Sequence, residues 1–210
     1  IQVLSSASSS CSPGRFYSEI TRFLGYKRNR HEGKITGLAA YGDPHKYFSD
    51  LKQFMAFDPE KEHFVWNMPA ESGLKRKLKT AKRILKGENF GTPFIDYFHE
   101  YLTNNYDPKS NAEDLAATVQ LITEEIALEY VSHFLKRYPR KNIVLAGGIF
   151  ANVRVNQRIG ELPDVDFLYI HQNMGDGGCA TGAGYLIREM HIATFPERPT
   201  NVYYGAAFSD

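Results

Sequence analysis

Apolar residues recur at three or four positions through the middle of the chain, where Leu115, Val119, Ile122, Ile126, Tyr130 and Phe134 fall on one helical face. This pattern predicts a long helix, capped by Ser110 or Asn111 and ended by Pro139, with Asp114 near the positive end of its dipole. A shorter helix is expected from Arg15 to Gly25, with Phe16, Ile20, Phe23 and Leu24 as its apolar side and Gly25 as its stop. After Pro139 the pattern changes. Ile143 to Ala146 is a compact apolar run, a strand, that ends in Gly147-Gly148 before a segment able to start a helix at Asn152. A second unit repeats the arrangement, with Val165 to Ile170 as strand, 171–178 as loop and Cys179 to Met190 as helix.

The other segments are less regular. Ile1 to Leu4 can finish a strand, and Ser5 to Gly14 reads as a flexible connection. A basic loop, Lys27 to His31, leads into HEGKITGLAAYGD at 31–43, a glycine-framed loop. Tyr47 to Phe54 suggests a short helix, and FDPEKEHFVW a hairpin around Pro59. Leu74 to Lys86 carries seven basic residues on an amphipathic helical pattern, most simply a solvated surface face. Residues 86–109 read as irregular and aromatic, and two prolines mark the tail after Met190 as a linker. The order of long helix, strand, helix, strand, helix predicts an α/β layered domain. A ligand belongs at the strand ends, where the glycine loops gather and free helix-start N–H groups suit an anion.

Composition narrows the options without redirecting them. Twenty-five Lys and Arg against 24 Asp and Glu leave a net charge of +1, which favours neither a nucleic-acid nor a membrane partner. Cys11 and Cys179 lie far apart and lack metal-ligand spacing, in keeping with a reducing compartment. No run approaches the ~20 apolar residues of a membrane span, and no secretory signal opens the chain, so a cytoplasmic location is expected. A first residue other than Met suggests a piece of something longer.

Five blocks in one order, SPGRFYSEITRFLGY, EGKITGLAAYGD, AEDLAATVQLITEE, NIVLAGGIFANVRVNQRI and MGDGGCATGAGY, resemble the O-carbamoyltransferase family of nodulation-factor and antibiotic biosynthesis, the NodU/CmcH type. More distantly they are similar to tRNA threonylcarbamoyl-transferases and to the actin, sugar-kinase and heat-shock ATPase superfamily. The resemblance implies the second half of a ribonuclease H-like, actin-like ATPase domain: an α/β fold with a mixed sheet flanked by helices and an irregular α+β insertion. In that scheme 1–43 contributes to the nucleotide cleft, 44–109 is the insertion, 110–192 is the nucleotide-binding core and 193–210 leads toward a C-terminal domain.

The chemistry so implied has two steps. Another domain turns carbamoyl phosphate into carbamate; this one joins carbamate to ATP as carbamoyl adenylate and passes the carbamoyl group to a hydroxyl of a small-molecule or sugar acceptor. Gly147, Gly148 and Asn152 match the loop that contacts the nucleotide. Gly33, Lys34, Gly37 and Tyr41 match a block bordering the adenosine side, where Lys34 is the catalytic candidate, a mobile cation able to offset adenylate charge. Gly14 and Tyr17 match a block expected to support the site from behind. Gly175, Gly177 and Gly178 frame Asp176, which matches a metal-ligand aspartate for iron, with magnesium or manganese as alternatives. The family completes that metal with two histidines at i and i+4, a spacing that none of the histidines at 31, 45, 63, 99, 133, 171 and 191 shows. The pair is therefore expected in an N-terminal half, and the 210-residue chain alone should be inactive. His171 reads as a strand-end packing residue. Expected partners are ATP, carbamoyl phosphate or carbamate, the acceptor, the two complementary domains and, as an open expectation, a second copy in a homodimer.

Alternatives are a non-catalytic nucleotide-binding or interaction module of the same fold and a tRNA-modifying relative. A dinucleotide-binding dehydrogenase, suggested by GxGxxA at Gly175, Gly177 and Ala180, lacks the acidic strand end about 20 residues on.

Overall fold

The fold is that of a computed structural model, which describes residues 3–67, 93–192 and 205–206. The basic stretch 74–86, the first part of the aromatic segment and nearly all of the linker lie outside the described residues. Helix α1 (Pro13–Phe23) starts where Ser12 Oγ accepts the Gly14 N–H at 3.2 Å, with Pro13 in the first turn, where its missing donor is harmless. Helices α2 (Glu32–Leu38) and α3 (Phe48–Lys52) follow, then a hairpin of β1 (Met55–Asp58) and β2 (His63–Trp66) paired antiparallel from Met55↔Trp66 to Asp58↔His63. Helix α4 (Pro93–Asn105) precedes α5 (Ala112–Arg137), which is 26 residues long. Strand β3 (Asn142–Leu145), helix α6 (Val153–Gly160), strand β4 (Phe167–Ile170) and helix α7 (Gly178–Ile192) complete the order.

β3 and β4 pair in parallel, from Asn142↔Phe167 to Leu145↔Ile170, with α6 as their crossover. The described strands thus form two separate two-stranded sheets, one antiparallel and one parallel, rather than one mixed sheet. None of the described helices is long and apolar enough to cross a membrane.

Helix α5 is the spine. Its N-terminal part, with Leu115, Val119, Ile122 and Ile126, joins Phe16 and Ile20 of α1, Ile35 of α2, Leu51, Phe54 and Met55, and Phe94, Phe98 and Leu102 of α4 in the larger core. Its C-terminal part turns Ala127, Val131 and Leu135 toward Leu145, Val155 and Ile159 in a second cluster. Tyr130, placed on the apolar face by the sequence pattern, is half-buried: it packs against this second cluster and also stacks on Phe64 of the hairpin at 5.0 Å.

Two segments differ from the sequence reading. Glu32–Leu38 is helical, although its glycines suggest a loop, because its start is fastened from outside: Glu32 Oε1 accepts the Asn29 N–H at 2.7 Å and the Ser18 hydroxyl at 2.6 Å. Ile35 then anchors it, fully buried. Such tertiary contacts outweigh glycine's cost of about 1 kcal/mol per helical position. Pro93–Asn105, read as irregular, is also a helix. Phe94, Phe98 and Leu102 recur every four residues in the core, a period masked in sequence by the tyrosines between them.

The start of α5 also departs from expectation. Asn111 occupies the capping position, but its Oδ1 accepts the Asp107 N–H and its Nδ2 donates to the Tyr47 hydroxyl at 2.8 Å, so it ties down neighbours rather than the helix. Asp114 reaches the other way. Its carboxylate accepts the Asp43 N–H at 2.9 Å and the Lys46 ammonium at 2.6 Å. These bonds press residue 42 against the helix, where a Cβ added to Gly42 would fall 2.1 Å from the Glu113 carbonyl oxygen.

Two outcomes are expected. Gly42→Ala should destabilise the chain by about 1–3 kcal/mol in urea unfolding, because backbone rather than a flexible side chain must move. The Lys46 hydrogen bond first, then the Asp43 amide, hold the Asp114 carboxyl below the usual carboxylate range. A depressed carboxyl pKa contributes stability above the unfolded value and loses it as pH falls through the folded one. Asp114→Asn should therefore lower the urea midpoint at neutral pH, and the gap from wild type should close under acid; a gap constant with pH would contradict the assignment.

Candidate functional site

The two parallel strands end side by side, and a hydrogen bond joins the loops that follow them. Gly147 has φ +114°, a conformation in which a side chain is strained, and its N–H donates to the Met174 carbonyl at 2.7 Å. That bond fixes the loop after β3 to the loop after β4. A short 3-10 turn, Gly148–Ala151, carries the chain onward, closed by Phe150 N–H to Gly147 O at 3.0 Å and Asn152 N–H to Ile149 O at 3.1 Å.

Asn152 then caps α6 as the sequence suggests, its Oδ1 accepting the N–H groups of Arg154 at 3.2 Å and Val155 at 3.3 Å. The consequence runs against one expectation. Those first-turn donors, expected to be free for an anion, are already occupied by the cap, so what this loop offers a ligand is its glycine backbone and the Asn152 amide. A Cβ added at Gly148 would meet nothing within 4 Å, and the same holds at Gly33, Gly37 and Gly175. Their backbone is open to close approach.

The glycines around Asp176 are of a different kind. A Cβ at Gly178 would lie 2.1 Å from the Asn173 carbonyl oxygen, and one at Gly177 would lie 2.2 Å from Asn173 Nδ2. Gly178 is thus needed by packing alone. The turn closes with Gly178 N–H on Gly175 O at 3.0 Å and Cys179 N–H on Asp176 O at 3.2 Å, which launches α7 and leaves Asp176 exposed. Among the described residues no three His, Cys, Asp or Glu side chains come together as a metal site. His171 Nδ1 lies 3.4 Å from the Tyr169 hydroxyl, consistent with a local packing role.

The first glycine segment reaches the loop indirectly. Thr36, on α2 between Lys34 and Gly37, lies with its Oγ1 2.8 Å from the Tyr17 hydroxyl, and Tyr17 donates to Gln120 Oε1 at 2.9 Å. Gln120 faces Asn152 with both ends of its amide: Nε2 donates to Asn152 Oδ1 at 3.1 Å, and Oε1 accepts from Asn152 Nδ2 at 2.8 Å. Its second N–H goes to Glu124 Oε1 at 2.8 Å, and Glu124 pairs with Arg158 of α6 at 3.2 Å. Burial raises the Tyr17 pKa far above the phenol range; the Thr36 hydrogen bond opposes that shift, and the Glu124 and Glu32 charges add to it. Lys34 has its Nζ over the Tyr26 ring, 5.5 Å from the centroid. Tyr41, at the end of the same segment, is 80% exposed.

Gln120 and Glu124 were not singled out by sequence reasoning, although Tyr17 and Asn152 were. Their signal was a pair of polar residues four apart on the best apolar helix of the chain.

Residues 2–185 match the family described as carbamoyltransferase N-terminus. The chain is 30% identical over 173 residues to an uncharacterized protein of Methanocaldococcus jannaschii, covering 82% of this chain and 25% of that protein. It is 27% identical over 193 residues to the nodulation protein NolO of Bradyrhizobium diazoefficiens, covering 91% of this chain and 31% of the relative. A tRNA N6-adenosine threonylcarbamoyltransferase of Lactiplantibacillus plantarum is 31% identical over 84 residues, which is 37% of this chain and 24% of that enzyme. The matched parts therefore span 24–31% of the length of these relatives. With nearly its whole length matched, the chain belongs to the carbamoyltransferase N-terminal family.

Proposed function

We propose that the chain supplies one side of the nucleotide site of an ATP-dependent O-carbamoyltransferase. In this reading ATP and carbamate form carbamoyl adenylate, whose carbamoyl group passes to a hydroxyl of a small-molecule or sugar acceptor. The observation that carries it is the Gly147 to Met174 hydrogen bond, which brings two glycine loops together at the carboxyl ends of two parallel strands. Ligands of α/β sheets bind at such ends. Gly147 and Gly148 would face the phosphates, and Gly33 and Gly37 the adenosine side. Lys34 would leave the Tyr26 ring to meet the adenylate charge, a swing its flexible stem permits. Generation of carbamate from carbamoyl phosphate and binding of the acceptor would belong to polypeptide beyond this chain.

The partial similarity to tRNA threonylcarbamoyltransferases, which takes in 37–47% of this chain, supports an actin-like ATPase half-domain. It favours a common nucleotide core over a shared acceptor. The metal expectation fits these residues less well. Asp176 is one exposed carboxylate, and the described residues offer no cluster to complete iron, magnesium or manganese coordination around it.

Calorimetric titration of ATP into the full gene product tests the reading, and absence of binding would sink it. Within that assay Gly148→Val should fold normally, since its Cβ enters open space, yet weaken ATP binding about tenfold, about 1.4 kcal/mol. Unchanged affinity would take the loop out of the site. With its remaining ligands expected from an N-terminal half of the full gene product, a metal held by Asp176 would raise ATP affinity: iron(II) or manganese(II) should do so in the wild type and not in Asp176→Ala, and a metal effect that survives this substitution excludes Asp176 as a ligand.

A further inference from the structure

The polar chain between α2 and α6 has a fixed direction, which follows from groups that can act in only one way. The backbone N–H groups of Arg154 and Val155 can only donate, so the Asn152 atom they meet is its oxygen. The other end of that side chain is then Nδ2, also a pure donor, and the Gln120 atom facing it is Oε1. This turns Gln120 Nε2 toward Asn152 Oδ1 and the Glu124 carboxylate, two acceptors. Because Oε1 cannot donate, the Tyr17 proton points at it, and the Thr36 hydroxyl in turn donates to Tyr17. A flipped Gln120 would set oxygen against the Glu124 carboxylate and N–H against N–H at Asn152.

Gln120 is 6% exposed, and both of its donors and both acceptor positions are engaged. Asn152 gives Oδ1 to three donors and one Nδ2 hydrogen to Gln120. One Nδ2 hydrogen remains beyond this network, on a half-buried residue that closes the Gly148–Ala151 turn.

We infer that Gln120 is a positioning residue: it holds the Asn152 amide in the one orientation that both caps α6 and presents its second Nδ2 hydrogen to an oxygen of a nucleotide over the Gly147-Gly148 loop. Tyr17 and Thr36 extend the same constraint to α2, so that the segment holding Gly33, Lys34 and Gly37 and the loop after β3 share one hydrogen-bonded frame. The inference rests on the nucleotide-site reading above.

The test uses the full gene product and reads ATP affinity by calorimetry together with thermal unfolding. Tyr17→Phe keeps the ring and removes only the donor to Gln120 Oε1; it should weaken ATP binding about threefold with a small loss of melting temperature. Gln120→Met keeps the length of the side chain and removes all four hydrogen bonds; it should weaken ATP binding at least tenfold, a size fitting a lost bond to a charged phosphate. In the same variant the Asn152 side-chain amide protons, resolved by NMR in the wild type, should lose protection from exchange. That readout moves only if Gln120 holds Asn152, whatever ligand the loop takes. Lower melting temperatures with ATP affinity within twofold of wild type in both variants would reduce Gln120 to a packing role and overturn the inference, leaving the nucleotide site intact. Wild-type protein that fails to bind ATP would remove the nucleotide reading and this inference with it. If Gln120→Met does not fold, Tyr17→Phe decides.

Discussion

The amide-to-amide exchange between Gln120 and Asn152 is the contact on which the arrangement of this molecule turns. It lies on α5 between Val119 and Ile122 of the larger hydrophobic cluster, about two turns before the smaller one begins at Ala127. Hydrophobic burial can hold each cluster together but says little about their relative placement, since apolar contact has no direction. A buried amide does have direction. An unmet donor or acceptor there costs about 1–3 kcal/mol, so the pair fixes where α6 sits along α5. Glu124 adds a charged partner and carries the constraint to Arg158 on α6.

Position and chemistry are linked through one residue. Asn152 ends a strand-loop turn, starts a helix and meets Gln120, and these three duties leave its side chain a single orientation. The loop after β4 is fixed by backbone, through Met174, while the side chains of its Asp176 turn face outward. One loop is thus held from within by a buried network and the other from the side by a main-chain bond. The glycines divide along the same line. Gly178 is small because Asn173 leaves no room, whereas Gly148 and Gly175 have free space beside them and no packing reason to lack a side chain.

Much of this was legible in the order of residues. The long helix, both strand-loop-helix units and the Asn152 cap follow from period and cap chemistry, because those signals are local. Helix α2 was not legible: its glycines argue for a loop, and what holds it is Glu32 bonding back to Asn29 and Ser18 together with Ile35 in the core. Helix α4 was hidden by aromatic residues on both of its sides. Gln120 escaped for a related reason. From Leu115 to Gln120 every residue of α5 is buried, so no polar face remains against which an inward polar residue would stand out. The two strand-loop-helix units were visible, but the parallel pairing of their strands and their separation from the hairpin as a distinct sheet depend on long-range contacts that no window of sequence contains.

The length of α5 has a consequence for how the molecule comes apart. Its 26 residues extend about 39 Å, and both clusters lean on the same continuous rod. Loss of the smaller cluster bares Ala127, Val131 and Leu135 and frees the end of the helix to fray, but fraying that reaches Gln120 also enters the larger cluster. Two cores that share no side chain beyond this rod therefore form one cooperative unit, and the slowest-exchanging amides among the described residues belong in the middle of α5, between Val119 and Ala127.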